Sequence, residues 1–149
     1  MANYKKASVM VIARATGTQT ITNNASAATL QFTESTDQIN YASGASFFDG
    51  TTFTTPYTGF YQFNFSLSWG AGITQSAGFV VLQKASPFTT IAYLLSGAAG
   101  SGATQNVSRV IRLTKGDQIT LLCSQTTGDD RIPDADGTTL SITRVGNAS

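Results

Sequence analysis

The chain has 149 residues, enough for one domain with a substantial core, and 41% of them are hydrophobic. Charged residues make up only 11%, against about 25% in an average globular protein, and the net charge is +1. That balance excludes an electrostatic partnership with nucleic acid or an anionic membrane. The absence of histidine, with Cys123 as the lone cysteine, excludes His-based triads, His metal sites and any intrachain disulfide.

The elements are read in chain order as strands separated by Gly, Ser, Thr, Asn and Asp clusters. Residues 8–15 (SVMVIARA) form the first. Residues 28–33 (ATLQFT) form a second, weaker one, and 38–41 (QINY) a short third. Residues 46–54 (SFFDGTTFT) hold a pair around the Asp49-Gly50 turn signal. A long strand follows at 57–69, then 77–84 (AGFVVLQK) and 89–95 (TTIAYLL). A flexible Gly/Ala/Ser loop is expected over 96–105. Strands at 106–114 and 118–124 flank the Lys115-Gly116-Asp117 turn, and 138–145 (TTLSITRV) closes the chain. No stretch carries a period of 3.6. Short strands at regular spacing define an all-β sandwich.

The long strand carries the most information. Tyr61, Phe63, Phe65, Leu67 and Trp69 alternate with Gln62, Asn64, Ser66 and Ser68. A period of two gives the strand an apolar face for the core and a polar face that lacks any charge. A strand facing bulk water usually carries Lys, Glu, Asp or Arg. In 79–82, 91–95 and 119–123, neighbours of both parities are apolar, and a free two-layer sandwich buries only one face of each sheet. Both features, with a composition rich in Thr, Ser, Ala and Gly, point to a surface withdrawn from water by a partner subunit; edge loops folding back over a sheet are the alternative cover for the two-sided strands.

Pro56-x-x-Gly59-Phe60-Tyr61-x-Phe63 resembles the P-x-x-G-x-Y-x-F signature of the C1q/tumour-necrosis-factor superfamily. Downstream, Val110-Ile111-Arg112-Leu113-Thr114-Lys115-Gly116-Asp117-Gln118-Ile119 is similar to its second signature, an apolar strand running into L-x-x-G-D. Phe48 to Phe53 matches the short strand before the first signature, and Thr139 to Ile142 sits where the closing strand falls. The resemblance covers about residues 8–146. It implies a ten-strand jelly-roll sandwich that assembles as a compact homotrimer, with an arm at 1–7 and a tail at 147–149.

Under that resemblance Tyr61, Phe63, Phe65, Leu67, Trp69, Ile111 and Leu113 point into the core. Gln62, Asn64 and Ser66, with Asn106 and Ser108 from the neighbouring strand, then face the trimer axis. Neutral amides and hydroxyls can pair there without the cost of burying unpaired charge. Pro56 fixes φ ahead of the long strand. Gly59 supplies either a positive φ or a close backbone approach, and Gly116 with Asp117 turns the chain between two core strands. An ordinary solvent face that happens to lack charge is the alternative reading of the even positions.

Chemistry is sparse. The loop GDDRIPDADG (128–137) holds Asp129, Asp130, Asp134 and Asp136, oxygen donors suited to Ca²⁺. It lacks full EF-hand spacing and the terminal Glu, so a solvated loop capped by Arg131 is the expectation, and no cofactor is. Cys123 is expected to be a small buried hydrophobe. With no histidine and no paired carboxylates outside this loop, the chain is not expected to be an enzyme.

No secretory h-region and no run of transmembrane length occurs, so synthesis in a cytosol without membrane insertion is expected. Together with the small single domain and low charge, this points to a virion surface protein of a phage: a head decoration, head fibre or fibre tip. Residues 1–7 would attach it to capsid or another virion protein, and a host-surface glycan or protein would be its target. The alternative is a recognition or adhesion module of a bacterial surface or spore.

Overall fold

The structure, a computed structural model, describes residues 10–23, 27–34, 47–69, 76–85, 88–98, 104–126 and 128–147. The described residues contain no helix. The strands are β1 (Met10–Ala15), β2 (Ala28–Thr29), β3 (Phe32–Glu34), β4 (Thr52–Thr54), β5 (Gly59–Ser68), β6 (Ser76–Ala85), β7 (Phe88–Ala98), β8 (Thr104–Leu113), β9 (Gln118–Gln125) and β10 (Thr139–Asn147). One five-stranded sheet runs β3-β1-β10-β5-β8. The other runs β2-β9-β6-β7, with β4 also paired to β9. Every strand pair is antiparallel. We call the first the inner sheet and the second the outer sheet.

The core lies between the two sheets. β5 contributes Tyr61, Phe63, Phe65 and Leu67, all at most 3% exposed, and β10 contributes Leu140 and Ile142. Phe53, Ile119, Leu121 and Cys123 cover them from the outer sheet. Phe53 meets Tyr61 at 5.6 Å and Phe63 at 6.0 Å between ring centroids, both edge-on. Edge-to-face pairs contribute about 0.5–1.5 kcal/mol each beyond area burial, so Phe53 pins one sheet to the other.

Several expectations from the sequence are corrected. Residues 28–33 are not one strand. Ala28 and Thr29 pair with Cys123 and Leu122 of the outer sheet, whereas Phe32 pairs with Ala15 of the inner sheet. The crossing pivots on Leu30, which is fully buried and donates its N–H to the Leu121 carbonyl at 2.8 Å. A single run of backbone satisfies its hydrogen bonds on two sheets in turn.

The long strand starts at Gly59 rather than at 57, because the backbone of 55–58 is held elsewhere. Thr55 exchanges hydrogen bonds with Asp117 and Gly116, and Thr58 accepts from Arg144 and Lys115. The strand ends at Ser68, with Trp69 in an isolated bridge to Pro133.

The expected loop at 96–105 is shorter than its composition implied. β7 runs to Ala98 and β8 begins at Thr104, because ladder bonds hold Gly97 and Ala98 opposite Ala77 and Ser76. The pair at 46–54 reduces to the bridge Phe48↔Phe53 leading into β4, around Gly50 at φ 95°. β10 extends through Asn147, which pairs with Gly59, so residue 147 belongs to the sheet and not to a tail. The strand expected at 38–41 and the arm at 1–7 lie outside the described residues.

Candidate functional site

The registers of the inner sheet place its outward side chains in rows. Across β1, β10, β5 and β8, Ile12, Ser141, Asn64 and Ser108 stand opposite one another. The next row toward the sheet end is Thr143, Gln62 and Val110. The row on the other side is Arg14, Thr139, Ser66 and Asn106. Gln62, Asn64, Ser66, Asn106 and Ser108 therefore share one face, opposite the face that Tyr61, Phe63 and Phe65 bury.

The polar groups of this face are cross-linked. Gln62 Nε2 donates to Asn64 Oδ1 at 3.3 Å and to Ser108 Oγ at 3.2 Å. Asn64 Nδ2 donates to Ser141 Oγ at 3.3 Å, and Ser66 Oγ to the Gly137 carbonyl at 3.1 Å. An open groove of about 510 Å³ runs over the face, between Ile12, Asn64, Ser66, Asn106, Ser108 and Ser141. The same face exposes apolar side chains, with Ile12 41% exposed, Phe60 39% and Val110 56%, and the cation Arg112 stands opposite Phe60. Among the described residues the face carries no carboxylate in these three rows. Arg14 is drawn to one side by Asp136 at 3.5 Å.

Sequence reasoning named the β5 and β8 residues of this face and missed Ile12, Thr139, Ser141 and Thr143. The signal was present. β1 and β10 also alternate, and their outward parities are fixed once β10 is known to sit between β1 and β5.

The remaining candidates have these positions. Trp69 and Leu113 are buried, at 1% and 2% exposure. Ile111 is only partly buried against the core, in β8, which is the edge strand of this sheet among the described residues. Gly116 has φ 89°. Gly59 does not adopt a positive φ. A Cβ there would lie 2.6 Å from the Gly146 carbonyl oxygen and 2.8 Å from Arg144 Nε, so close approach is what demands glycine. Pro56 is buried beside it. Asp117 is the turn's anchor: Oδ2 accepts from the Thr114 N–H at 2.9 Å and Oδ1 pairs with Lys84 Nζ at 2.8 Å.

In β9, Ile119, Leu121 and Cys123 are buried while Thr120 and Leu122 of the opposite parity are half-buried. The side chains of 79–82 and 91–95 lie outside the described residues. Burial pushes the Cys123 thiol up to about 12.

The acidic loop is spread out rather than gathered. Asp129 pairs with Arg131 at 3.6 Å, and Asp130 Oδ1 accepts from the Asn23 N–H at 2.9 Å. Asp134 Oδ1 accepts from the Asp136 N–H, and the Asp136 carboxylate faces Arg14. Among the described residues no three acidic, Cys or His side chains are grouped as a metal site requires. The loop is pinned to two separate segments, Arg131 to Ile21 on one side and Pro133 and Thr138 to Trp69 and Ser68 at the end of β5 on the other.

These two antiparallel sheets, in this order and with this core, define an all-β jelly roll of the TNF-like kind. Solved structures agree. The chain matches Eiger TNF from S. frugiperda with a TM-score of 0.67 at 9% identity, over 97% of this chain and 96% of that one. It matches murine APRIL with a TM-score of 0.65 at 14% identity, over 93% of this chain and 99% of that one. Likeness at such identities establishes the fold alone. No protein-family model and no curated protein matches the chain in sequence.

Proposed function

We propose that the chain is a non-enzymatic, homotrimeric surface module of a phage virion, a head decoration, head fibre or fibre tip with a structural or host-adhesion role. The observation that carries this reading is the outward face of the inner sheet. It joins hydrogen-bonded neutral amides and hydroxyls to the exposed apolar side chains Ile12, Phe60 and Val110. A face with exposed apolar side chains and an uncharged centre suits burial against further copies, since its central polar groups can pair without stranding a charge. The sequence signatures support three-fold packing through the same sheet.

Low charge, Ser/Thr/Gly-rich composition, a lone buried cysteine and the lack of histidine support a structural role over an enzymatic one. The arm at 1–7 is the attachment to capsid or another virion protein.

Light scattering coupled to size exclusion tests the assembly: the expected mass is three times 15.6 kDa, and a monodisperse monomer refutes it. Immunogold labelling of purified phage particles tests the placement. Regular label on heads or fibre ends is expected, and unlabelled particles refute it.

A further inference from the structure

At the end of the sandwich opposite the acidic loop, a second open groove of about 370 Å³ is lined by Phe47, Thr54, Thr55, Pro56, Tyr57 and Lys115, with Gly116. Small-molecule sites occupy about 300–1,000 Å³, so the groove has room for one or two sugar rings. None of its lining residues belongs to the three outward rows of the inner sheet.

The walls are held in place by hydrogen bonds. Thr55 N–H donates to the Asp117 carbonyl and Gly116 N–H to the Thr55 carbonyl, each at 2.8 Å. Lys115 N–H donates to Thr58 Oγ1 at 3.0 Å, and Tyr61 O–H to the Tyr57 carbonyl at 2.6 Å. The Arg144 guanidinium sits 5.4 Å from the Tyr57 ring centroid and donates Nη2–H to the Thr58 carbonyl. That contact fixes the ring through a cation–π interaction while 36% of the residue stays open to solvent. A groove this braced loses little conformational entropy when it binds.

Thr55 is 1% exposed, and its Oγ1 is buried with no hydrogen-bond partner. The hydroxyl lies beneath the groove surface, so Thr55 holds the wall through its backbone bonds and is not a contact for a ligand. Among the described lining residues Lys115 alone is charged, and it is exposed. The nearby carboxylate of Asp117 is committed to Lys84 and the Thr114 N–H.

We propose that this groove binds an acidic sugar, a pyranose carrying a carboxylate. Its apolar ring face stacks on Tyr57, its hydroxyls meet Thr54, and its carboxylate pairs with Lys115. The proposal deepens the adhesion role and rests on it for its biological meaning. A trimer would display three such grooves and gain avidity on a polymeric glycan.

Saturation-transfer NMR and calorimetry on the intact protein test it, with digalacturonic acid, sialyllactose and lactose as probes. The expected result is binding of one of the acidic probes with a dissociation constant on the order of 1 mM or tighter, and weaker binding of lactose. Tyr57→Leu keeps an apolar side chain but removes the flat ring, and is expected to weaken binding about tenfold or more. Lys115→Gln is expected to erase the preference for the acidic probe. Both residues are exposed, and circular dichroism checks that the variants fold. Three outcomes overturn the proposal: no saturation transfer from either acidic probe at about 10 mM, lactose binding as well as the acids, or binding unchanged in Tyr57→Leu. Because binding is read at each groove, a monomer in light scattering refutes the assembly without touching this result, and a silent trimer refutes this result without touching the assembly.

Discussion

Replacing Asn64 with glutamate separates a buried inter-subunit face from a solvated one. Asn64 is exposed in the single subunit, and its row neighbours Ile12, Ser141 and Ser108 are uncharged. In an isolated subunit Asn64→Glu loses one hydrogen bond, to Ser141, and should change stability by about 0.5 kcal/mol. In a trimer closed through this face, three carboxylates are brought together with no cation in the row. At a separation of about 8 Å and an effective dielectric of about 20, each pair repels by about 2 kcal/mol, or about 6 kcal/mol for the three pairs. Adding Gln62→Glu multiplies the like-charge pairs. The double variant should therefore run as a monomer at pH 7 in size exclusion with light scattering. It should regain trimer below about pH 4, where glutamate takes up its proton. Phe63→Ala is the control. Phe63 is fully buried, and its loss should destabilise the subunit by about 3–5 kcal/mol whatever the assembly. A double variant that stays a stable trimer at pH 7 refutes the placement of this face at the three-fold.

The two signature glycines should respond differently to alanine. Gly59→Ala drives a Cβ against the Gly146 carbonyl and should cost about 2–3 kcal/mol in urea unfolding, whereas Gly116→Ala, with φ 89° but open space around it, should cost about 1 kcal/mol. Cys123 is buried and its pKa is raised from 9.0 to about 12, so its contribution to stability is full below pH 9 and is lost as pH rises from 9 toward 12. Cys123→Ala should flatten that alkaline decline, and the native thiol should react with a chromogenic disulfide reagent only after denaturation. Asp49 accepts from the Thr52 and Thr51 backbone N–H groups and from the Thr51 hydroxyl, which hold its carboxyl below the usual value of 3.8. Its stabilisation is present above about pH 4 and lost as pH falls through the lowered pKa, so Asp49→Asn should show a shallower acid decline than the parent in thermal melts.

The period-two alternation of 59–68 was enough to tell which residues enter the core, because a strand between two layers has only two faces and a one-residue slip would expose Tyr61, Phe63 and Phe65 together. Strand periodicity along the chain made an all-β sandwich legible, and the resemblance carried by the two glycine signatures implied the jelly roll. Other features depended on contacts between segments far apart in the chain. Residues 28–33 read as one strand because a short apolar run does not record which sheet supplies each hydrogen bond, and only the docking of Leu30 against Leu121 divides it. Arg144 reads as one more strand residue. Its place under Tyr57 and against Thr58 exists because β10 pairs with β5, with a shift in register between Arg144 and Gly146. The groove at Tyr57 and Lys115 was invisible for the same reason. Residues 54–57 and 115–116 are close only through the backbone bonds of Thr55 to Asp117 and Gly116, and sequence periodicity reports the face of a strand but not its neighbour.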